Sequence, residues 1–326
     1  MTTEPGIKSA TDPLSLLDPE VAEFIRRGVA ASQKFPPRES MSPPEARKVA
    51  EIVRSQWVEG GPTMASVEEF AVPTPYEALR LRIYHPKNRS GDGALLYLPG
   101  GGWTLFSVDT HDRLMREYAQ AAGITVLGID YSRAPEAKFP QAIHELDAVL
   151  DWLEQNDATF GFSFDKLAMG GDSAGGNLTV ATCMKRRDTG KRLPAAMLLN
   201  YGSFDLGFAK DSVVKFGNGA YVLGTHMMLW FTMNYIRTPD DMLDPLASPL
   251  RGEKAGLPPA FMAIADHDVL YDDNVAMAKA LREAGVEVCD NIYPGTVHSF
   301  LEAMSIAAVS RRAIGETADW LRERIG

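Results

Sequence analysis

Apolar side chains in the first sixty residues recur at the three-to-four-residue spacing of helices. This spacing predicts one helix over residues 19–31 and a second over 44–57, separated by a proline-rich break. Pro44 suits the first turn of the second helix, because that position needs no backbone N–H. One face of the first helix collects the apolar residues Val21, Phe24, Ile25 and Val29.

After residue 60 the pattern becomes one of strands alternating with helices. Residues 67–72 and 79–84 alternate like half-buried strands, whereas 94–98 and 125–129 are continuous apolar runs, typical of strands buried on both faces. Further strands are predicted at 167–169, 195–199, 260–264 and 286–292, and helices at 110–122, 141–155 and 274–284. The alternation predicts the α/β class, with a mostly parallel central sheet flanked by helices.

Residues 205–240 are too many for a simple crossover between two strands. The segment carries the large apolar residues Phe208, Phe216, Tyr221, Leu229, Trp230, Phe231 and Tyr235. We predict a helical insertion that, together with residues 1–60, forms a cap over the open end of the sheet. The chain, residues 1–326, is then a single domain with a helical cap.

Charge and composition exclude several classes of partner. The chain has 33 Lys and Arg against 43 Asp and Glu, a net charge of -10, and no basic block, so nucleic acid is not an expected partner. The same charge weakly favours neutral or cationic substrates. No stretch approaches the ~20 apolar residues that span a bilayer, and the N-terminus does not resemble a secretory signal. With only two cysteines, Cys183 and Cys289, a cytoplasmic protein without a disulfide framework is expected.

The most informative motif lies between a predicted strand and a predicted helix. Gly171, Ser173 and Gly175 fit the pattern G-x-S-x-G, in which a serine hydroxyl projects from a sharp turn. Larger side chains at the two glycine positions would collide with neighbouring backbone. The following helix directs its free N–H groups at the site, and the N–H of Ala174 is a candidate oxyanion donor. A purely structural glycine turn is the alternative.

A second glycine-rich segment, LPGGGW at residues 98–103, directly follows a predicted buried strand. Glycines permit close approach of backbone N–H groups to a ligand, and in the α/β-hydrolase fold such a loop supplies oxyanion donors. The segment lacks the spacing of phosphate-binding loops, which makes nucleotide binding a poor alternative.

A serine nucleophile needs a base, and in this fold the chain order is serine, acid, histidine. Three histidines follow Ser173, namely His226, His267 and His298. His298 is preferred because it lies in a loop after a predicted strand near the C-terminus. Four aspartates compete as the acid that orients it: Asp266, Asp268, Asp272 and Asp273.

Several ordered motifs together resemble the hormone-sensitive-lipase-like branch of the α/β hydrolases. They are GGGW at 100–103, DYSRAPE at 130–136, GDSAGGN at 171–177, ASPL at 247–250 and LPPA at 257–260, so the resemblance covers roughly residues 80–300. It implies that Gly101 and Gly102, with Ala174, form the oxyanion hole. It also favours Asp268 as the acid, since Asp268-Val269-Leu270 approximates the family's D-P-L, with Asp266 as the runner-up and the DPL at Asp244 set aside.

One position departs from the family, because Pro99 stands where the glycine loop usually has a histidine. We hypothesise that the oxyanion hole still works but that loop geometry or acyl preference differs. Trp103 and Asp172, which adjoin the two glycine motifs, are the candidate substrate-binding residues.

The sequence thus predicts a serine esterase with a Ser173, His298 and Asp268 triad, acting through an acyl-enzyme on short- to medium-chain esters. No metal or organic cofactor is expected, since no ligand cluster has metal spacing. The alternatives are a lactone, amide or carbamate hydrolase on the same triad, or an inactive small-molecule-binding protein on this scaffold. The resemblance makes a homodimer plausible.

Overall fold

The computed structural model describes residues 12–326, which form one mostly parallel eight-stranded sheet with helices on both faces. The strands are β1 (Ser66–Val72), β2 (Leu79–His85), β3 (Ala94–Leu98), β4 (Thr125–Ile129), β5 (Leu167–Asp172), β6 (Ala196–Asn200), β7 (Ala260–His267) and β8 (Val288–Val297). Their spatial order is β1-β2-β4-β3-β5-β6-β7-β8, and only β2 runs antiparallel to its neighbours. The predicted fold class is confirmed.

The predicted helices lie close to their expected positions, with shifts of a few residues at their ends, whereas the C-terminal helix over residues 308–325 was not predicted. They are α1 (Pro19–Ser32), α2 (Pro43–Val58), α3 (Asp112–Ala122), α4 (Gln141–Asn156), α5 (Ala174–Asp188), α6 (Asp211–Phe216), α7 (Thr225–Tyr235), α8 (Tyr271–Glu283) and α9 (Ala308–Ile325). The side chain of Asp18 caps α1 by accepting the N–H groups of Glu20 and Val21. None of the helices within residues 12–326 is long and apolar enough to cross a membrane.

The central strands β3, β4, β5 and β6 are buried at every residue. This explains their continuous apolar sequences, because a parallel strand with helices on both faces has no solvent-facing side. Their carboxyl ends meet at one edge of the sheet. In open α/β sheets, ligands bind at that edge, and both glycine motifs lie there.

The N-terminal helices are held against the same edge. The N–H of Asp18 donates to the carbonyl of Gly295 in β8 at 2.9 Å, and Phe24 of α1 packs on Trp57 of α2 at a ring distance of 4.8 Å. Val29 shares the predicted face of α1 but is 49% exposed, because that part of the helix borders an open cavity. The insertion contains α6 and α7. The first eleven residues of the predicted cap lie outside the described residues, and its limits stay a prediction.

Three strands extend several residues past their predicted ends: β5 runs to Asp172, and β7 and β8 are also longer. β7 continues to His267 and β8 to Val297, and the two pair as far as His267 opposite Val297 across a bulge. Pro294 is tolerated in β8 because this strand is at the edge of the sheet, where a missing N–H breaks no central ladder. The extension brings Asp268 and His298 to the ends of adjacent strands.

Candidate active site

Ser173 occupies a sharp turn between β5 and α5. Its backbone has φ 55° and ψ −115°, a region that costs about 1–3 kcal/mol for a residue with a side chain. The turn is held by the N–H of Ser173, which donates to Asn200 at 2.9 Å, and by Asn177, whose amide donates to Ser203 and Ala247. A strained serine held in this way is the arrangement that the G-x-S-x-G pattern predicts.

The glycines of this motif are required by one neighbouring carbonyl group. A Cβ on Gly171 would lie 2.2 Å from the carbonyl oxygen of Leu98, and a Cβ on Gly175 would lie 2.0 Å from the same oxygen. Leu98 ends β3, so it cannot withdraw without disrupting the central sheet. The carbonyl oxygen of Leu98 is therefore an atom that requires glycine at both positions.

The structure brings Ser173, His298 and Asp268 together in the predicted order. Ser173 Oγ lies 2.9 Å from His298 Nε2, and His298 Nδ1 lies 2.7 Å from Asp268 Oδ2. The other Asp268 oxygen accepts the N–H of Leu270 at 3.0 Å, which fixes the carboxylate. All three side chains are buried, Asp268 with only 1% of its surface exposed.

The competing acids and bases have other partners. Asp266 accepts the N–H groups of Gly295 and Thr296 at 3.1 and 3.0 Å, and so supports the loop that carries His298. His267 contacts Asp266, and His226 lies on the exposed side of α7. Asp272 accepts the N–H of Ser212 in α6, and Asp273 accepts the N–H groups of Phe204 and Asp205.

Three backbone N–H groups beside Ser173 have no acceptor within residues 12–326. They belong to Gly101, Gly102 and Ala174, the residues expected to form the oxyanion hole. Gly101 and Gly102 have φ values of 111° and 58°, and a Cβ on either would overlap a neighbour, Leu105 O or the ring of Phe231. The loop therefore needs glycine both for its conformation and for space.

Asp172 does not lie where a substrate-binding role requires. It is 1% exposed and is not among the residues that line the cavity above Ser173. Its Oδ1 accepts the N–H of Gly100 and the hydroxyl of Tyr97, both at 3.0 Å. Asp172 therefore braces the glycine loop from beneath, and the substrate-binding prediction is wrong for this residue. The prediction selected a residue of the correct motif, but the sequence alone cannot distinguish a carboxylate buried beneath the loop from one that lines the cavity.

Pro99 is compatible with a well-held loop. Its carbonyl accepts the hydroxyl of Tyr131 at 2.8 Å, while Asp172 holds the next N–H. The loop is thus fixed through its backbone, without the histidine that Pro99 replaces.

Beneath the loop lies a group of charged residues that no sequence motif connects. We call it the buried ion cluster, and it consists of Arg54, His111, Asp172 and Glu302. His111 Nε2 lies 3.2 Å from Asp172 and 3.4 Å from Glu302, and Arg54 lies 2.7 Å from Glu302. Burial lowers the pKa of His111, but the two carboxylates raise it more, and the net direction is upward. Burial would raise the pKa of Asp172, but His111 and Arg54 bring it below its usual range.

A cavity of about 490 Å³ opens above Ser173 and His298. Its walls come from α1, α2, the glycine loop and the insertion, and they are mainly apolar, with Phe24, Ile25, Trp57, Phe106, Met228 and Phe231 among them. Trp103 also borders the cavity, and its ring is stacked on Tyr235 at 4.3 Å. The volume falls within the range of small-molecule sites.

Comparisons with known proteins identify the family of the chain. Residues 95–302 match a family model described as the alpha/beta hydrolase fold. The chain is 35% identical to an acetyl esterase of Salmonella agona over 280 residues, covering 84% of this chain and 85% of that protein.

Solved structures of esterases and related hydrolases are similar to this chain over most of its length. An esterase from the archaeon Pyrobaculum calidifontis superposes with a TM-score of 0.87 at 29% identity, covering 94% of this chain and 98% of that one. An α/β hydrolase from the metagenome of Lake Arreo superposes with a TM-score of 0.90 at 31% identity, covering 95% and 98%.

The fold, the site and these relatives define a hydrolase of carboxylic esters. The family model and the relatives also identify the family. The chain belongs to the α/β-hydrolase fold family, in its hormone-sensitive-lipase-like branch.

Proposed function

We propose that the chain hydrolyses short- to medium-chain carboxylic esters, with Ser173 as nucleophile, His298 as base and Asp268 as the acid that orients it. The observation that carries this proposal is the continuous hydrogen-bonded chain from Asp268 through His298 to Ser173, at 2.7 and 2.9 Å, at the floor of a cavity. The acetyl esterase relative supports a small acyl group.

The first half of the reaction forms an acyl-enzyme. His298, with its Nδ1 proton directed at Asp268, accepts the hydroxyl proton of Ser173 at Nε2 as Ser173 Oγ bonds to the ester carbonyl carbon. The unpartnered N–H groups of Gly101, Gly102 and Ala174 donate hydrogen bonds to the carbonyl oxygen, on which the negative charge develops. The carbon–oxygen bond to the alcohol then breaks, and His298 gives its proton to the departing alcohol.

The second half releases the acid. His298 removes a proton from water, the resulting hydroxide adds to the acyl carbon, and the bond to Ser173 Oγ breaks as His298 returns a proton to it. The net reaction consumes one ester and one water and yields one alcohol and one carboxylic acid.

The test is release of 4-nitrophenol from acetate, butyrate and octanoate esters, with wild type beside Ser173→Ala. We expect Ser173→Ala to lose at least about 10³-fold in kcat, because the remaining groups can only bind and polarise the ester. Circular dichroism of the variant serves as the folding control. A folded Ser173→Ala protein that retains wild-type turnover would rule out this nucleophile.

A further inference from the structure

The wall of the cavity contains three side chains with a permanent charge, Arg38, Arg54 and Asp205, in an otherwise apolar and neutral polar lining that also includes the base His298. Asp205 has its own cations, since Arg251 lies at 2.9 Å and Lys210 at 3.8 Å. Its negative charge is therefore balanced from outside the cavity.

The positive charge of Arg54 is balanced as well. It belongs to the buried ion cluster, in which its guanidinium contacts Glu302 at 2.7 Å while His111 contacts Asp172. Arg54 also lies over the ring of Phe106 at 4.4 Å, which keeps it at the cavity wall. Within the cluster, two cationic groups face two carboxylates, so no negative charge is left over for a further arginine.

Arg38 has no such partner. It is partly buried in the turn between α1 and α2, and no carboxylate within residues 12–326 lies within 4 Å of it. Its guanidinium donates a long hydrogen bond of 3.5 Å to Ser32 Oγ. The neighbouring Glu39 lies instead beside His226, at 3.5 Å. Burial and the charge of Arg54 lower the pKa of Arg38, and the adjacent Glu39 raises it less, so the net direction is downward.

We propose that Arg38 binds an ionised carboxylate carried by the substrate, so that the preferred substrates are esters with a second, free carboxylate group. This proposal rests on the proposed function, since it places the scissile ester of the same molecule at Ser173. A guanidinium presents two parallel N–H groups that match a carboxylate, and such charge-assisted pairs are stronger than neutral hydrogen bonds. The cavity wall thus favours an anionic substrate, although the net charge of -10 weakly favours the opposite.

Two pairs of substrates test the proposal and locate the carboxylate. The first pair is the mono-4-nitrophenyl ester of adipic acid and the same ester with the free acid capped as its N-methylamide, which probes the acyl side. The second pair is 4-carboxyphenyl butyrate and its N-methylamide, which probes the alcohol side. Each kcat/KM is divided by the rate of alkaline hydrolysis, so that intrinsic reactivity cancels.

In wild type, we expect kcat/KM for the carboxylate member of one pair to exceed that of its capped partner by about tenfold or more, a typical effect of a hydrogen bond to a charged group. Arg38→Met should remove this preference, so that both members of the pair have similar kcat/KM values, whereas Arg38→Lys should retain part of it. Arg26→Met is the matched control, because Arg26 is an exposed arginine of α1 away from the cavity. An equal or greater rate for the capped esters, or a preference that survives Arg38→Met, would overturn the proposal.

Binding separates this proposal from the proposed function. Calorimetry with the monoanilide of adipic acid on Ser173→Ala, with and without Arg38→Met, measures the carboxylate site without turnover. Ester turnover with no carboxylate preference and no Arg38-dependent binding refutes the arginine site alone. Arg38-dependent binding with normal turnover by Ser173→Ala supports the arginine site and refutes the assigned nucleophile.

Discussion

Gly102 provides a sharp test of how closely the insertion covers the oxyanion loop. Its φ of 58° lies in the left-handed region, and a Cβ at this position would be 2.1 Å from Cγ of Phe231, a residue of α7. Gly102→Ala therefore has two effects, a backbone cost and a collision with an aromatic ring. The two effects can be separated, because only the collision depends on Phe231.

The size of each effect follows from the geometry. The left-handed conformation costs a residue with a side chain roughly 1–2 kcal/mol, whatever surrounds it. Ordinary contact begins at 3.4 Å, so the ring or the loop must also move by about 1.3 Å from the 2.1 Å separation. If the loop moves, the N–H of Gly102 leaves the oxyanion. Loss of one such donor costs about 2.7–4 kcal/mol, or about 10²–10³ in kcat.

The assay is kcat for 4-nitrophenyl butyrate in wild type, Gly102→Ala, Phe231→Ala and the double variant. We expect a loss of about 10²–10³ for Gly102→Ala and of less than about fivefold for Phe231→Ala. The double variant should recover at least about tenfold, which is a coupling of about 1.4 kcal/mol.

Gly101→Ala is the internal control. Its Cβ would lie 2.5 Å from the carbonyl oxygen of Leu105, which is backbone and remains when Phe231 is removed. Phe231→Ala should therefore rescue Gly102→Ala and leave Gly101→Ala inactive. Wild-type kcat in Gly102→Ala, or equal rescue of both variants, would refute the reasoning.

Three further predictions concern the acid of the triad, the sharp turn that carries Ser173, and the buried ion cluster. Asp268→Asn should lower kcat by about 10⁴-fold, because it favours the wrong histidine tautomer. Asp266→Asn should lower kcat less than tenfold, and it should lower the free energy of unfolding, measured with urea, by about 1–3 kcal/mol. Equal losses of kcat in the two variants would reject the assignment of Asp268 as the acid. Gly175→Ala should lower that free energy by about 3 kcal/mol or more through its overlap with backbone, while Gly315→Ala, which meets no atom within 4 Å, should not lower it. The pKa of His111 is raised above its unfolded value, so the stability it contributes is complete below pH ~6.5 and is lost as the pH rises through the folded-state pKa. Wild type should therefore lose thermal stability relative to His111→Gln as the pH rises above about 6.5, and parallel curves would contradict the argument.

The fold was largely readable from the sequence, because burial on both faces leaves an unmistakable local pattern. The bounds of β3 and β4 were predicted to the residue, since both are continuous apolar runs. The ends of β7 and β8 were not, because their extension depends on pairing between strands and on a bulge. Pairing across a bulge leaves no periodic signal in either strand by itself.

The sequence by itself determined the chemistry that local geometry requires: glycines flanking a serine, a glycine loop after a buried strand, and a late histidine. Each of these features depends on residues within a few positions of one another, so spacing alone can show it. Only the tertiary structure decided which aspartate meets His298, and that Asp172 lies beneath the loop.

Only the tertiary structure, too, decided that Arg38 borders the cavity without a carboxylate partner. The buried ion cluster joins residues from position 54 to position 302, which the topology brings to one edge of the sheet. Contacts of this range depend on how whole elements pack, because electrostatic partners are chosen by distance in space rather than by separation along the chain.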